Sequence, residues 1–500
     1  MKNTPNKYLK GQLIIPFYMT EKNEQTYTKI ISTIGPASDS QNTIREMYNS
    51  GMRIARLNFS HGDHNYFLEV IKKIRNVSED IAILADTKGP EIRTGEVENK
   101  EITLEKDETI TLTNEKKIGN KNTLTINYPH LENLQEGDKV LIDDGLIETQ
   151  IIGKDKEGQI AKIKNTGKLG SNKTVSIKGH KIKIDYLSQK DKEDIQFAAN
   201  QNLDFIAASF IRGKEDIDSL KQYLKEINST TKIISKIENE YAIENIDEII
   251  NSSEGIMIAR GDLGVEINME EIPELQKKLV KKSNQAGKPA IVATQMLESM
   301  KENPRPTRAE ISDVAQAILD GADAIMLSAE TASGKYPIKA VETMKNVAKI
   351  YDKKVSSISS FAPYKNKHNN CSTSLFITQA VAQACDDLNI SAIIAPTHSG
   401  FTPRKISRFK PKVPIIAIPK NNNKLRELQL SWGVFPILID EKQHIEIIKE
   451  LHEREILNKD NTVAITSNHS TYSAGHTNTI EIFNVESIIS GETKNLPEEY

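Results

Sequence analysis

Between residues 28 and 350 of this 500-residue chain, eight short runs rich in Ile, Val and Ala recur with longer amphipathic stretches between them. They fall at 28–34, 53–58, 81–86, 204–209, 232–237, 255–259, 290–294 and 324–328. Short apolar runs alternating with helix-period segments are the pattern of parallel strands joined by crossover helices. Eight of them is the number that closes a (β/α)8 TIM barrel. Helix punctuation agrees: 273–286 opens on Pro273 and stops at Gly287, and 306–319 opens after Arg305 on Pro306 and stops before Gly321. Periodicity alone leaves an open doubly wound sheet as the alternative.

More than a hundred residues separate the third run from the fourth. A structureless connection of that length has no place inside a compact domain. Alternating segments at 101–104, 109–113, 139–142 and 148–152, separated by turn residues such as Asp144-Gly145, predict antiparallel β structure. After the Ser-rich stretch 356–360, strand–helix alternation resumes at 392–395, 414–418, 434–438 and 463–466. The chain is therefore expected to comprise an N-terminal tail (1–27), a barrel (28–95 and 181–355), an inserted small β-barrel domain after strand 3 acting as a lid (96–180), and a C-terminal open α/β regulatory domain (361–500).

Composition narrows the function. Lys and Arg total 66 against 69 Asp and Glu, a net charge of −3, which supplies no basic face for a nucleic acid. Cys371 and Cys385 have no histidine at ligand spacing, so neither a zinc site nor a disulfide framework is expected, and a reducing cytoplasm fits. The apolar run 12–19 is short and interrupted by Pro16, so no membrane span or signal is expected there.

In a barrel of this kind chemistry sits where strands end. Strand two runs into Arg56, Asn58, Ser60 and His61, strand three into Asp86-Thr87-Lys88, and strand five into Lys236-Ile237-Glu238-Asn239. Strand six gives Arg260-Gly261-Asp262, strand seven Thr294-Gln295, and strand eight Ser328-Ala329-Glu330. Any one of these could be a solvated cap or an ion pair; six polar rims converging on one mouth argue for a site. Glu238 and Asp262 offer two carboxylates on neighbouring strands, a donor set that suits Mg2+ completed by substrate and water oxygens. Lys236 shares a face with Glu238 by strand alternation and can balance charge on a transferring phosphoryl group. Asn58, Ser60, Asp86 and Thr87 offer oxygens with one formal charge, a set suited to a monovalent cation, or else to ordinary loop hydrogen bonds. Gly261 allows backbone N–H groups to approach an anion, and Thr294 offers a hydroxyl on the opposite side.

These residues lie in strings that resemble the pyruvate kinase family over roughly residues 28–485. Gly51-Met52-Arg53-Ile54-Ala55-Arg56-Leu57-Asn58-Phe59-Ser60-His61-Gly62 is similar to its second-strand motif. Asp86-Thr87-Lys88-Gly89-Pro90-Glu91-Ile92-Arg93-Thr94-Gly95 is similar to its third. The stretches 256–266 and 293–300, followed by Pro304-Arg305-Pro306-Thr307-Arg308-Ala309-Glu310, are similar to the sixth and seventh. The resemblance implies transfer of the phosphoryl group of phosphoenolpyruvate to ADP, giving pyruvate and ATP through a metal-stabilised enolate that is then protonated. It implies Glu238 and Asp262 as ligands of Mg2+ (or Mn2+), and Asn58, Ser60, Asp86 and Thr87 as ligands of K+. It also implies Arg56 and Lys236 at the phosphoryl group, Gly261, Asp262 and Thr294 at the three-carbon substrate, and Asn58, His61, Arg93 and Lys178 at the nucleotide. Glu91 places the chain with potassium-requiring members, and the family is usually a homotetramer. After Lys178 the family's Asn and Pro-Gly pair are replaced by a segment containing Lys181, Lys183 and Ile184; Tyr241-Ala242 replaces Glu-Gly, and Gln316 and Ala329 replace Asn and Gly, for which packing adjustments alone are expected.

In the third domain, Thr397, Ser399, Gly400 and Thr402 resemble the family's effector-phosphate loop, the alternative being a plain Ser/Thr helix cap. Residues 467–479, where the family encloses that effector, contain no Lys or Arg, so a monophosphorylated effector is expected in preference to a bisphosphate. His398 and His476 read as surface residues, Trp432 as packing between elements, and Lys277, Lys278, Lys281 and Lys282 as a solvated helix face. A magnesium-dependent lyase acting on a pyruvate enolate, and a non-catalytic regulator that kept the fold, are the competing functions. The first needs neither Arg93, Lys178 nor the potassium set, and the second has no use for Lys236, Glu238, Asp262 and Thr294.

Overall fold

The computed structural model describes residues 26–178, 183–355, 372–440, 443–467 and 477–491. Most of the expected tail, the Ser-rich stretch, Cys371, Lys181 and His476 lie outside these. The eight runs form eight parallel strands: β1 (Lys29–Thr33), β2 (Met52–Asn58), β3 (Ala82–Asp86), β4 (Phe205–Ala208), β5 (Lys232–Ile237), β6 (Gly255–Ala259), β7 (Ala290–Ala293) and β8 (Ala324–Leu327). They hydrogen-bond in chain order, and β1 pairs with β8, so the sheet closes. The doubly wound alternative is excluded.

Alternation sorts every strand into two faces. Ile31, Ile54, Ala82, Leu84, Phe205, Ala207, Ile234, Met257, Ile291, Ala324 and Met326 fill the barrel interior. Ile30, Ala55, Ile83, Ile206, Ile233, Ile256, Val292 and Ile325 pack outward against the helices. Both faces are buried, so the strands read as continuous apolar runs. The helix expected at 306–319 is Arg308–Leu319; its start is set by Thr307, which exchanges hydrogen bonds with Glu310 in a capping box, so Pro306 lies outside it.

The insert carries a six-stranded sheet ordered Val175–Lys178, Lys139–Ile142, Ile147–Lys154, Gln159–Ile163, Thr109–Thr113 and Thr123–Thr125, with a two-stranded ribbon of Glu101–Leu104 and Gly167–Gly170. All its pairings are antiparallel except Thr109–Thr113 with Thr123–Thr125. The C-terminal sheet runs Val434–Pro436, Ile415–Pro419, Ala392–Thr397, Thr462–Ser467, Thr479–Asn484. Its last strand is antiparallel and was not expected from sequence, because Thr479–Asn484 is half-buried throughout and shows no apolar run.

The C-terminal domain docks beneath the barrel, at the end away from the strand C-termini. Lys410 there is fully buried and bonds Asp323 at 2.9 Å, Arg426 bonds Asp204 at 2.7 Å, and Trp432 is buried beside Tyr27. Trp432 thus packs between elements, as its sequence setting suggests.

Candidate active site

Extending the inward-facing parity past each strand end gives the mouth. On β2, Ile54 is followed by Arg56 and Asn58; on β3, Leu84 by Asp86; on β5, Ile234 by Lys236 and Glu238. Arg56 Nε bonds Asp86 Oδ2 at 2.7 Å, and its Nη1 bonds Thr33 Oγ1 at 2.9 Å. Lys236 Nζ lies 3.2 Å from Asp86 Oδ1 and 2.7 Å from Glu238 Oε1. Glu238 Oε2 accepts the N–H of Phe210 at 2.7 Å, and Phe210 adopts a left-handed φ of 55° to offer it. Asp262 follows in the short helix Arg260–Glu266, close enough for its charge to act on the Glu238 carboxyl.

Electrostatics divide these carboxyls into two kinds. Burial works against ionising Asp86, but the Lys236 and Arg56 cations more than offset it and hold its pKa below the ordinary range. Burial pushes Glu238 up to about 7, Lys236 opposing and the Asp262 charge adding to the shift, and burial also raises Asp262. For Lys236 burial disfavours the ammonium, yet Asp86, Glu238 and Asp262 together raise its pKa. Two neighbouring buried carboxyls each disfavour ionisation of the other, and a further cation between them would favour it. Two carboxyls leave most of a six-oxygen shell to substrate and solvent oxygens, the arrangement Mg2+ prefers.

Thr294 departs from the sequence reading. Its Oγ1 lies 2.8 Å from the Gly261 N–H and donates to the Ala293 carbonyl at 2.7 Å, so it stands beside Gly261, not opposite. The reason is a break in alternation: Thr294 and Gln295 take φ of 65° and 53°. Arg260 holds this strained pair by donating to the carbonyls of Ala293, Thr294 and Gln295 and to Asp313.

The remaining candidates lie around the rim. Ser60 is past the strand, in an exposed turn, where its N–H donates to Asn58 Oδ1 at 3.2 Å; His61 is exposed beside it. Thr87 is buried with its hydroxyl on the Ala207 carbonyl. Arg93 is held by Glu91 through two bonds, 2.8 and 3.1 Å, and caps the Asn172 carbonyl. Lys178 ends the insert strand Val175–Lys178, whose Ser176 hydrogen-bonds Glu266 of the barrel. A cleft of about 120 Å³ opens there, lined by Glu91, Asp144, Ser176, Tyr241, Glu238 and Asp262 among others. Thr397, Ser399, Gly400 and Thr402 form a separate region in the C-terminal domain. Thr397 Oγ1 accepts the Gly400 N–H at 2.9 Å, Ser399 Oγ accepts the Phe401 N–H at 3.3 Å, and Thr402 Oγ1 meets Thr477 Oγ1 at 2.7 Å. Gly400 stands at the helix start and has no side chain to cap it, and the Thr397 and Ser399 hydroxyls take the first N–H groups in its place.

Sequence reasoning missed Ser209 and Thr33, both of which contact the mouth's cations. Parity along β4 (Phe205, Ala207, Ser209) points to the first; Thr33, two residues beyond Ile31, follows the same rule. It also took Gln316 for a packing change only, whereas its amide bonds Asp320 at 2.7 Å, and Asp320 accepts in turn from Gln276.

Comparison with known proteins agrees with this geometry. Residues 25–341 match the family model "Pyruvate kinase, barrel domain" and residues 376–483 the model "Pyruvate kinase, alpha/beta domain". The chain is 43% identical to the pyruvate kinase of Sporosarcina psychrophila over 91% of its own length and 80% of that protein. To the pyruvate kinase of Clostridium acetobutylicum it is 40% identical over 92% and 99%. A crystal structure of a pyruvate kinase from Cryptosporidium parvum superposes with a TM-score of 0.87 at 34% identity, covering 95% of this chain and all of that one. With a closed barrel whose mouth gathers Arg56, Asp86, Lys236, Glu238 and Asp262, and relatives of this kind along nearly its whole length, the chain belongs to the pyruvate kinase family and is a phosphotransferase that passes the phosphoryl group of phosphoenolpyruvate to ADP, yielding pyruvate and ATP.

Proposed function

We propose that phosphoryl transfer is carried by Lys236 and Arg56, whose charges face the group as it leaves the enolate oxygen and joins the ADP oxygen. The observation that supports this most directly is the place of Lys236 Nζ, within hydrogen-bonding distance of Asp86 on one side and Glu238 on the other. A cation there lies between two anionic sets and can follow charge spreading over the equatorial phosphoryl oxygens. Glu238 and Asp262 would hold Mg2+ (or Mn2+); Asn58, Ser60, Asp86 and Thr87 would hold K+. The divalent ion, when bound, supplies Lewis-acid polarisation of substrate oxygens. Gly261, Asp262 and Thr294 bind the three-carbon substrate, and the Thr294 hydroxyl relays a proton from water to the enolate carbon, taking one from solvent as it gives up its own. Asn58, His61, Arg93 and Lys178 bind the nucleotide. The insert (96–180) closes over the mouth as a lid, and the loop carrying Thr397, Ser399, Gly400 and Thr402 takes a phosphorylated effector in a cytoplasmic homotetramer.

The test couples ADP-dependent pyruvate formation to a dehydrogenase, with Mg2+ and K+ omitted in turn. Activity that needs both ions supports the reading; full turnover without added monovalent or divalent cation removes it.

A further inference from the structure

We propose that Ser209 is the positioning residue that aims the Lys236 ammonium. The inner face of β4 runs Phe205, Ala207 and then Ser209, which is 2% exposed at the strand's end. Its Oγ lies 2.8 Å from Lys236 Nζ, 2.7 Å from the Thr87 carbonyl and 3.2 Å from Asp86 Oδ1. A hydroxyl has one proton to give. The short contact to the Thr87 carbonyl takes it, leaving the oxygen's lone pairs toward the lysine.

An ammonium has three protons, and the acceptors around this one are Glu238 Oε1, Asp86 Oδ1 and Ser209 Oγ. Under the function proposed above, on which this inference rests, Glu238 belongs to the divalent set and Asp86 to the monovalent set. Ser209 is then the acceptor that neither ion claims. It is also neutral, so it orients the ammonium without cancelling the charge needed at the phosphoryl group. Its own place is fixed from two sides: Tyr186 donates its hydroxyl to the Ser209 carbonyl at 3.1 Å, and Gly89, at φ +71°, packs so close that a Cβ on it would stand 2.8 Å from that carbonyl oxygen.

The experiment compares Ser209→Ala, Ser209→Cys and Ser209→Thr with Lys236→Met and the double variant Ser209→Ala/Lys236→Met, measuring kcat, KM for phosphoenolpyruvate and the thermal unfolding midpoint. Loss of the hydroxyl in the Ala and Cys variants should lower kcat about 10- to 100-fold, the scale of a misplaced reacting group. KM should stay within about twofold and the midpoint near native, and on the Lys236→Met background Ser209→Ala should cost less than about twofold more, because coupled residues are not additive. Ser209→Thr, which keeps the hydroxyl, should recover most of the rate. Should Ser209→Ala fold poorly, the Cys variant, close in volume to serine, carries the test. A native kcat in Ser209→Cys overturns the proposal, as do a Ser209→Thr that melts normally yet is as slow as the Cys variant, and full additivity in the double variant. If Lys236→Met itself retains native turnover, it is the role of Lys236 that fails; if Lys236→Met collapses while Ser209→Cys does not, only the role of Ser209 fails.

Discussion

The barrel mouth and the 397–402 loop of the C-terminal domain arrange their polar side chains in opposite ways. At the mouth, charged side chains face one another: Arg56 and Lys236 on Asp86, Lys236 on Glu238, Glu238 on Asp262. In the loop, neutral hydroxyls turn back on their own backbone, Thr397 on Gly400 and Ser399 on Phe401. The first arrangement is costly to bury and is sensitive to the loss of any member. The second is satisfied without a ligand, so changing it should alter binding in that loop and little else. The difference teaches where a mutation should reach the chemistry and where it should not.

The sharpest way to break that comparison is Lys236→Met. Turnover should fall about 10³- to 10⁵-fold, the range for a cation that stabilises transferring phosphoryl charge, or roughly 4 to 7 kcal/mol of barrier. Circular dichroism should show a folded protein. Near-native turnover at saturating magnesium would mean that the mouth's charge cluster is structural.

Next in size is the seam joining the two regions. Lys410 and Asp323 are both buried there, and Asp323 also accepts the N–H groups of Ala290 and Trp432. Removing one partner strands a buried charge, so Lys410→Ala should lose about 3 to 5 kcal/mol in denaturant titration. A loss under about 1 kcal/mol, the level of an exposed pair, would show that the seam is wetter than its burial implies.

Thr294→Val tests the proton-transfer half of the mouth alone. Exchange of the pyruvate methyl protons with solvent deuterium should slow by about 10² or less, the lower end for general acid catalysis, since water near Ser328 or Gln295 can carry the proton. Unchanged exchange takes Thr294 out of the mechanism. A smaller effect is expected from Glu91→Lys, which puts a fixed cation where potassium would otherwise balance the nucleotide phosphates. Activity in buffers containing only bulky organic cations should rise relative to the parent, and a parent fully active in such a buffer would refute the potassium set.

The smallest change in saturated turnover should come from replacing Thr397, Ser399 and Thr402 together by Ala. Activation by a sugar monophosphate or AMP should vanish while turnover at saturating phosphoenolpyruvate stays within about twofold, as for distant independent sites. Tight activation by fructose 1,6-bisphosphate, with monophosphates inert, would contradict the expectation drawn from the absence of Lys and Arg in 467–479.

Much of this molecule was legible before any coordinate. The barrel strands were readable because both faces are buried, so each is an apolar run bounded by polar rims. The insert strands were readable for the complementary reason: Ile147–Lys154 alternates buried and half-buried positions along its first half. Thr479–Asn484 was not readable, since it is half-buried on both faces, with Ile480 and Ile482 packing on one side and Phe483 on the other, and so offers no continuous apolar run. Lys236 and Glu238 could be assigned to one face because strand geometry is periodic. Thr294 could not, because its left-handed φ cancels the period at that residue.

The order of residues along the chain determined the number of strands, the polar rims and the family motifs, because these are local in sequence. Only the tertiary structure decided that Ser209 reaches Lys236, that Arg260 pins the Thr294 turn, and that the Asp86 pKa is held down by its cations while those of Glu238 and Asp262 are pushed up. Each depends on distances between strands far apart in the chain and on the burial they share. A sequence carries neither quantity until the barrel has closed.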